Sequence, residues 1–401
     1  MQMRIKDRIK QCLRDCMVWY FAGRTKRKIK KNNGDTGNIL LVKQDGLGDF
    51  ILFQNAIREI KRLYPNKKLY ISCYEMNVVY AELTGLFDGI IPFNIPHFRL
   101  GTLIKTYRKL KDYRFDILLH PTQPRHLESE IFVSFINAKV KISSVGERGT
   151  FPPHVKEKWD RQYDIKIEQG MENMTLIQTA NFLRGLGAKD YKATMPKLEI
   201  AIRDCHLCLP EKYFVVFLGA SIYNKKWAPK KFYRVAEHIF KKTGWTCVLC
   251  GMHEDKEQEF EFSQQGNLPF VTYIAKTEWD EFIYVISHAQ LVVGNDTSAI
   301  HFANALNVQS VCVKGQFSGN KFFPYFTELE EPNRTKPISV SCPPFKCFAC
   351  TMSDQHYRCI PCYTARHRTK CIEKITTEMV VHAVDIAIDL IERRARSQEL
   401  F

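Results

Sequence analysis

The sequence predicts an α/β protein of two doubly wound domains, each a parallel sheet covered by helices. Short, wholly apolar stretches alternate with amphipathic helical patterns, which is the arrangement of βαβ units. The alternation occurs twice along the chain, and 401 residues are enough for two or three domains. The composition, 45% hydrophobic and 25% charged, is ordinary for a globular protein and excludes collagen-like, coiled-coil and wholly disordered chains.

The first series of strands and helices begins at residue 38. Ile39–Val42 is a short apolar run, which is typical of a strand buried on both faces. Apolar residues then recur at helical spacing from Phe50 to Tyr64, and Pro65-Asn66 ends that helix. Further strands, with helical patterns between them, are predicted at Leu69–Ser72, Gly89–Pro92, Asp116–Leu119 and Val140–Val145.

The second series begins after about residue 205, with a strand at Tyr213–Leu218 and a helix from Pro229 to Lys242. The later strands of this series are predicted at Trp245–Leu249, Phe270–Ile274, Leu291–Val293 and Ser310–Val313. Helices are predicted near His253 and over Glu278–His288, Ser298–Leu306 and Ile375–Arg394. Two such series predict two doubly wound domains with a cleft between them.

The domain prediction has five parts. They are a basic N-terminal segment (1–37), two α/β domains (38–205 and 206–340), a cysteine-rich segment (341–372) and a C-terminal helix (373–401).

The first 37 residues are strongly basic, with eleven lysines and arginines against three aspartates. Their net charge of +8 is half of the net charge of the whole chain, +16. Their apolar residues recur at helical spacing, so they fit an amphipathic helix on an anionic membrane surface. A solvated, partly ordered basic tail is the alternative. Residues 16–23 are too short an apolar stretch for a convincing signal peptide, and no apolar stretch approaches the ~20 residues of a membrane span.

The first motif that could bind a ligand or take part in a reaction is Asp45-Gly46-Leu47-Gly48-Asp49. It follows the first strand, at the start of a helix. Glycines allow close approach of a ligand to the backbone, and a helix N-terminus suits an anion. Gly46, Gly48 and Asp49 are therefore candidate site residues. The alternative is that Asp49 only caps the helix. The third glycine of a dinucleotide fingerprint is missing, so NAD binding is not favoured.

The second motif runs from Gly294 to His301, again from a strand through a tight loop into a helix. Thr297 and Ser298 supply hydroxyl and N–H groups at a helix N-terminus, which suits a diphosphate. The alternative is a capped turn with His301 facing the core.

The third motif, Gly219 to Pro229, follows the first strand of the second domain. Ser221 and Lys226 are candidates for neutralising phosphate oxygens. A solvated lysine pair in a loop is the alternative.

Six cysteines lie between residues 342 and 371. Two C-x-x-C pairs, Cys347 with Cys350 and Cys359 with Cys362, suit a structural zinc ion held by four thiolates. Free thiols in a packed loop are the alternative, and disulfides are a poor expectation in a reducing compartment.

Taken in order, the three motifs resemble those of glycosyltransferase family 9, the bacterial heptosyltransferases of lipopolysaccharide core synthesis. Members open with a strand and a Gly-Asp turn into a helix that ends at Tyr-Pro, here ILLVKQDGLGDFILFQNAIREIKRLYP. A small-hydroxyl loop with K-x-W-P follows, here GASIYNKKWAP, and then D-T-G-x-x-H-x-A-x-A-L, here DTSAIHFANAL. The resemblance covers about residues 38–315.

Two positions depart from the family pattern. Ser298 replaces the usual glycine of the D-T-G turn. Members often carry an acidic residue soon after the glycine of the second domain's second strand, and here Gly251 is followed by Met252, His253 and Glu254.

The resemblance implies the GT-B arrangement of two facing Rossmann-like domains and an inverting transfer that needs no catalytic metal. The expected donor is a nucleotide-sugar, with a heptose-like sugar from ADP-heptose, and the expected acceptor is a lipid-anchored lipopolysaccharide core. The implied place is the cytoplasmic face of the bacterial inner membrane. By resemblance Asp49 is the base; Ser221, Lys226, Thr297 and Ser298 bind the diphosphate, Asp296 orients the donor, and His301 supports the turn.

Two other functions are consistent with parts of the sequence. One is another nucleotide-sugar enzyme of the same architecture, such as an epimerase, because fold alone does not define a reaction. The other is a non-enzymatic protein that binds nucleic acid or membranes through its basic tail. No recognised nucleic-acid module occurs in the chain, so specific nucleic-acid binding is not expected.

Overall fold

The computed structural model describes residues 20, 34–93, 100–123, 125–146, 153–170, 174–202, 206–221, 225–316, 319–343 and 369–398. Most of the basic N-terminal segment lies outside these residues, as do Cys347, Cys350, Cys359 and Cys362. None of the described helices has the length and the apolar run needed to cross a bilayer.

The first sheet has six parallel strands in the order β3-β2-β1-β4-β5-β6. These strands are β1 (Asn38–Lys43), β2 (Lys68–Tyr74), β3 (Gly89–Phe93), β4 (Arg114–His120), β5 (Asn137–Ser144) and β6 (Ile165–Ile167). The helices of this half of the chain are α1 (Leu47–Leu52), α2 (Gln54–Leu63), α3 (Val78–Leu83), α4 (Leu100–Leu110), α5 (Leu127–Phe135), α6 (Pro153–Asp160) and α7 (Thr175–Leu186).

The second sheet also has six parallel strands, in the order β12-β11-β10-β7-β8-β9. They are β7 (Tyr213–Phe217), β8 (Thr246–Cys250), β9 (Phe270–Thr272), β10 (Leu291–Asn295), β11 (Ser310–Val313) and β12 (Ile338–Val340). The accompanying helices are α8 (Pro229–Thr243), α9 (Lys256–Ser263), α10 (Trp279–Ser287), α11 (Ser298–Ala305), α12 (Lys370–Glu373) and α13 (Thr377–Gln398).

Both sheets have the strand order of the Rossmann fold, 3-2-1-4-5-6 when each set is counted from its own first strand. The order reverses between β1 and β4 in the first sheet, and between β7 and β10 in the second. Ligands of such sheets bind beyond the carboxyl ends of the strands at this reversal. The loops after β1, β7 and β10 carry the three motifs singled out in the sequence, so the predicted α/β fold and the placement of its motif loops are confirmed.

Each sheet has its own apolar core. In the first, aromatic side chains pack among aliphatic ones, and the Phe93 and Phe132 rings meet edge to face with centroids 5.4 Å apart. In the second, Trp227 is fully buried and its Nε1 donates to the Ile375 carbonyl at 3.0 Å. Val384 and Ile388 of α13 belong to the same core, so the C-terminal helix is part of the second half of the molecule.

The structure adds details that the patterns did not predict. β6 and β12 are three-residue edge strands, too short to show a period-two or wholly apolar pattern. The single helix predicted over Phe50 to Tyr64 is two helices, α1 and α2, with a turn at Phe53 between them.

Chain packing divides the molecule differently from the predicted domains. The first compact unit contains Met1–Gly46, Ala56–Gly170 and Asn181–Tyr191, and the second contains Leu47–Asn55, Met171–Ala180 and Lys192–Phe401. Three stretches of the predicted first domain, Leu47–Asn55, Met171–Ala180 and the part from Lys192 onward, thus pack with the second unit. The reasons are local: Asn55 Nδ2 donates to the Met195 carbonyl at 2.7 Å, and the Thr175 N–H donates to the Lys321 carbonyl at 3.0 Å.

Candidate functional site

The first unit presents Asp45 where the strand order of its sheet reverses. The Lys43 ammonium at the end of β1 forms an ion pair with the Asp45 carboxylate. Thr122, after β4, donates its hydroxyl to Asp45 Oδ2 at 3.4 Å, and Asn77 Nδ2 donates to the Asp45 carbonyl at 3.2 Å. These contacts fix the loop that leads into Gly46.

Asp49 lies on α1, within the second compact unit. The helix begins at Leu47, so Asp49 occupies its third position and not the N-cap. The alternative that Asp49 merely caps this helix therefore does not match the geometry. A carboxylate in the first helical turn is still favoured by the positive end of the helix dipole.

Gly48 packs directly against α11, the helix of the second motif. A Cβ atom added to Gly48 would lie 2.7 Å from His301 Cδ2 and 3.8 Å from the Ser298 Cα. Distances below 3.0 Å do not occur between real Cβ atoms and their neighbours, so glycine is required for this approach. The contact brings the Gly48-Asp49 turn next to the first turn of α11.

His301 is buried beneath that turn. Its Nδ1 lies 2.5 Å from the Tyr325 hydroxyl, and its ring stacks on Phe323 with centroids 4.8 Å apart. Burial lowers the pKa of His301 to about 4, against the opposing effect of the Asp296 and Asp49 carboxylates. The imidazole is therefore neutral near pH 7. His301 is buried, as expected for the alternative in which it faces the core.

Thr297 holds the N-cap position of α11, but its side chain makes no capping hydrogen bond. Its Oγ1 is buried and has no hydrogen-bond partner within the described part of the chain. A buried hydroxyl without a hydrogen-bond partner destabilises the folded protein unless a ligand or a water molecule supplies the missing hydrogen bond. With Ser298 as the first helical residue, this end of α11 offers an unused hydroxyl beside free N–H groups.

Asn295 ties together the loops at the point where the strand order of the second sheet reverses. Its Nδ2 donates to the Leu218 and Gly219 carbonyls at 2.9 and 3.1 Å. The Trp227 N–H donates to Asn295 Oδ1 at 2.9 Å. One buried amide therefore sets the spacing between the loops after β7 and β10, a role that a sequence pattern does not reveal.

The two lysines of the third motif have different surroundings. Lys226, the candidate chosen from sequence, is buried, and its Nζ donates at 3.0 Å to both Asp255 Oδ1 and Gln258 Oε1. Its charge is already neutralised inside the protein. Lys225 Nζ instead lies 3.6 Å from Asp296 Oδ2 in the second motif, so Lys225 is the lysine that the structure brings to the candidate site. Ser221 is exposed.

Of the two acidic residues that follow Gly251 most closely, Asp255 is the one that the fold encloses. Glu254 is exposed, whereas Asp255 is buried and accepts the Met252 N–H at 3.0 Å. A Cβ atom on Gly219 would lie 2.1 Å from Asp255 Oδ2, so this carboxylate occupies the space that Gly219 leaves. Asp255 therefore holds the loops after β7 and β8 together.

The first and last cysteines of the cysteine-rich segment, Cys342 and Cys371, approach the same loop after β11. The Gln316 Nε2 donates to the Cys342 carbonyl at 2.5 Å, and Cys371 Sγ lies 3.1 Å from where a Gly315 Cβ would be. Among the described residues, no group of three or more metal-ligating side chains occurs.

Comparison with known proteins gives consistent matches. The family model described as glycosyltransferase family 9 (heptosyltransferase) matches residues 103–340, a range that contains Lys225 and the second motif but not Asp49. The chain is 22% identical over 282 residues to lipopolysaccharide heptosyltransferase 3 of Escherichia coli, covering 67% of this chain and 80% of that protein.

Solved structures share the fold. A family 9 glycosyltransferase from Veillonella parvula superposes with a TM-score of 0.63 at 16% identity, covering 88% of this chain and 97% of the other. The E. coli ADP-heptose lps heptosyltransferase II gives a TM-score of 0.61 at 17% identity, with coverages of 88% and 99%. The family model spans more than half of the chain, and the fold is that of the GT-B type. The chain therefore belongs to glycosyltransferase family 9 and is a glycosyltransferase.

Proposed function

We propose that this protein transfers a heptose-like sugar from ADP-heptose to a lipid-anchored lipopolysaccharide core. The observation that carries the proposal is the packing of Gly48 on Ser298 and His301, which sets Asp49 beside the N-terminus of α11. This juxtaposition joins a candidate base to a candidate diphosphate site within one compact unit. The similarity to a lipopolysaccharide heptosyltransferase supports the choice of donor and acceptor.

The donor diphosphate is proposed to bind at the N-terminus of α11. The free N–H groups and the helix dipole favour an anion there, and Thr297 Oγ1 is a buried hydroxyl that lacks a partner among the described residues. Lys225 supplies the nearby positive charge in place of Lys226. Ser298 and Ser221 add hydroxyl groups to the same binding role.

Asp296 is proposed to orient the donor. Its carboxylate is largely buried and lies 3.6 Å from Lys225 Nζ, so it holds that ammonium beside the loop after β10. Its backbone N–H donates to the Val313 carbonyl at 3.1 Å, which fixes the residue relative to β11.

The proposed reaction is an inverting displacement. The Asp49 carboxylate takes the proton of an acceptor hydroxyl while the hydroxyl oxygen forms a bond to the anomeric carbon. The bond between that carbon and the diphosphate oxygen breaks on the opposite face, and the electron pair leaves with ADP. Because Lys225 and the N–H groups of α11 stabilise the departing charge, the displacement is proposed to need no catalytic metal.

The location is also part of the proposal. The basic segment 1–37 is proposed to hold the enzyme on the anionic cytoplasmic surface of the inner membrane, where lipid-anchored acceptors occur.

The inner cysteines are proposed to hold a structural zinc ion. Cys342 and Cys371, which flank them, both lie beside the loop after β11, so the segment between them starts and ends at one place. Two C-x-x-C pairs match the tetrahedral thiolate coordination of zinc. Elemental analysis of purified protein is expected to give roughly one zinc per chain, and a value under ~0.3 would contradict the assignment.

The function is tested with purified protein and ADP-, UDP-, GDP- and CMP-linked sugars. A donor that binds only the folded state raises its stability by roughly 2.7 kcal/mol at a hundredfold excess over Kd. We expect a thermal shift with ADP-heptose and, after addition of heptose-free lipopolysaccharide, ADP release with a matching mass gain of the acceptor. Conversion of the donor without any acceptor would instead support an epimerase, and no shift with any donor would contradict the proposal.

A further inference from the structure

A short segment after β11, residues 319–325, is held in place by a buried lysine. Lys314 Nζ donates to the Gly319 carbonyl at 2.6 Å and to the Phe323 carbonyl at 2.8 Å. Burial lowers the pKa of this ammonium. The Lys321 carbonyl accepts the Thr175 N–H at 3.0 Å, so the segment is fixed at both its start and its middle.

This segment presents two aromatic rings to His301. Phe323 lies parallel to the imidazole within 6°, and Tyr325 lies parallel to it within 3° at a centroid distance of 5.9 Å. The Phe323 and Tyr325 rings are themselves parallel within 8°. The two aromatic rings therefore fix the plane of the imidazole through ring contacts alone, without a hydrogen bond to its nitrogens.

The Tyr325 hydroxyl fixes which nitrogen of the His301 ring carries the proton. It lies 2.5 Å from His301 Nδ1, and no other hydrogen bond to this hydroxyl occurs among the described residues. Donation of its proton to Nδ1 therefore satisfies both groups, and it leaves the imidazole proton on Nε2. Burial holds the pKa of Tyr325 well above its usual value, so the hydroxyl keeps its proton.

The opposite edge of the imidazole faces Gly48. A Cβ on Gly48 would lie 2.7 Å from Cδ2 and 3.3 Å from Nε2 of His301. The position of this edge thus sets how closely α1 approaches α11. Because Asp49 is the next residue along α1, a change in the imidazole plane moves its carboxylate.

We propose that Tyr325 is a positioning residue of the transferase: it fixes the plane and the proton of His301, and through Gly48 it fixes Asp49. The inference rests on the proposed function, since it gives Asp49 the role of base. Tyr325 itself does not touch substrate in this scheme. A 1 Å displacement of a catalytic group can cost about a hundredfold in rate, so a small loosening is measurable.

The variant that tests the proposal is Tyr325→Phe, which keeps the stacked ring and removes the hydroxyl. Tyr213→Phe is the matched control, because it removes another buried hydroxyl of the same unit, one that donates to the Val285 carbonyl at 2.8 Å. Both variants are expected to lose similar thermal stability. Only Tyr325→Phe is expected to lower kcat, by about tenfold, while the KM for the donor stays within about twofold.

The proton position gives a readout that does not depend on turnover. In ¹⁵N NMR spectra of histidine-labelled protein, with the His301 signals assigned through His301→Gln, the wild type is expected to show protonated Nε2 and unprotonated Nδ1. Tyr325→Phe is expected to shift this pattern, and Tyr213→Phe is expected to leave it unchanged.

The outcomes separate the two proposals. If the wild type transfers no sugar, the proposed function fails, whatever the spectra show. If the wild type is active and Tyr325→Phe matches Tyr213→Phe in kcat, the positioning role is overturned. A wild-type His301 that carries its proton on Nδ1 would also overturn it.

Discussion

At the scale of single residues, adjacent lysines of one loop have separate tasks. Lys226 is enclosed by Asp255 and Gln258, whereas Lys225 reaches Asp296 at the candidate site. The motif was visible in the sequence, but the choice between the two lysines was not. It depends on Asp255, which approaches the loop only through the packing of β7 beside β8.

The two lysines provide a paired prediction. Lys226→Ala leaves the buried Asp255 carboxylate without its cation, so we expect a loss of about 3 kcal/mol in the free energy of unfolding. Lys225→Ala is expected to cost less stability than Lys226→Ala, because its ion pair with Asp296 is longer, at 3.6 Å, and to raise the Kd for the donor and lower kcat. Urea unfolding and donor titration measure both quantities. The reverse pattern would show that Lys226 is the ligand-facing lysine.

The buried imidazole of His301 predicts how stability changes with pH. Its pKa in the folded protein is about 4, and in the unfolded chain it is near 6.5. Between these values the unfolded state binds more protons, so the free energy of unfolding falls as the pH is lowered. From pH 7.5 to pH 5 we expect this residue to contribute a loss of about 2 kcal/mol.

The check compares urea unfolding of the wild type and His301→Gln at the two pH values. The variant is expected to be less stable at both, and its loss between them is expected to be smaller by that amount. Equal losses in the two proteins would mean that His301 takes up its proton in the folded state as readily as in the unfolded one.

At the scale of elements, the central strands and the edge strands β3 and β9 were predictable, whereas the edge strands β6 and β12 were not. β7 and the residues Ile39–Val42 of β1 form wholly apolar runs, because each of these strands is covered on both faces. β6 and β12 have three residues each, with a polar residue in the middle, so neither shows the short apolar run that marks β9. The contact of α1 with α11 joins residues about 250 positions apart, and no local pattern encodes such a pairing.

The close approach of α1 and α11 predicts the effect of a single methyl group. Gly48→Ala places a Cβ against the His301 ring, so we expect a loss of about 1–3 kcal/mol in stability together with a loss of transfer activity. Gly101→Ala on α4 is the control, because a Cβ there meets nothing within 4 Å. Thermal unfolding and initial rates measure the two effects. Unchanged activity in Gly48→Ala would show that this spacing is not needed for catalysis.

At the scale of the whole molecule, two sheets of the same strand order carry the candidate residues at corresponding places. This repetition is why the alternation of strands and helices predicted so much of the fold and the loops that carry the site. Two residues that complete the site, Asn295 and Tyr325, were not predicted, because they are defined by contacts that arise only when the second unit is folded. A TM-score of 0.63 at 16% identity shows that this architecture persists while most side chains change.

The measurement that tests the central claim most directly compares Asp49→Asn with the wild type, in both sugar transfer and donor binding on the same preparations. Removal of a general base costs about 10²–10⁴ in rate, so we expect kcat to fall by that factor while the donor Kd stays within about threefold. Asp389→Asn, an exposed position on α13, is the isosteric control and is expected to behave as the wild type. Transfer by Asp49→Asn at the wild-type rate would contradict the account.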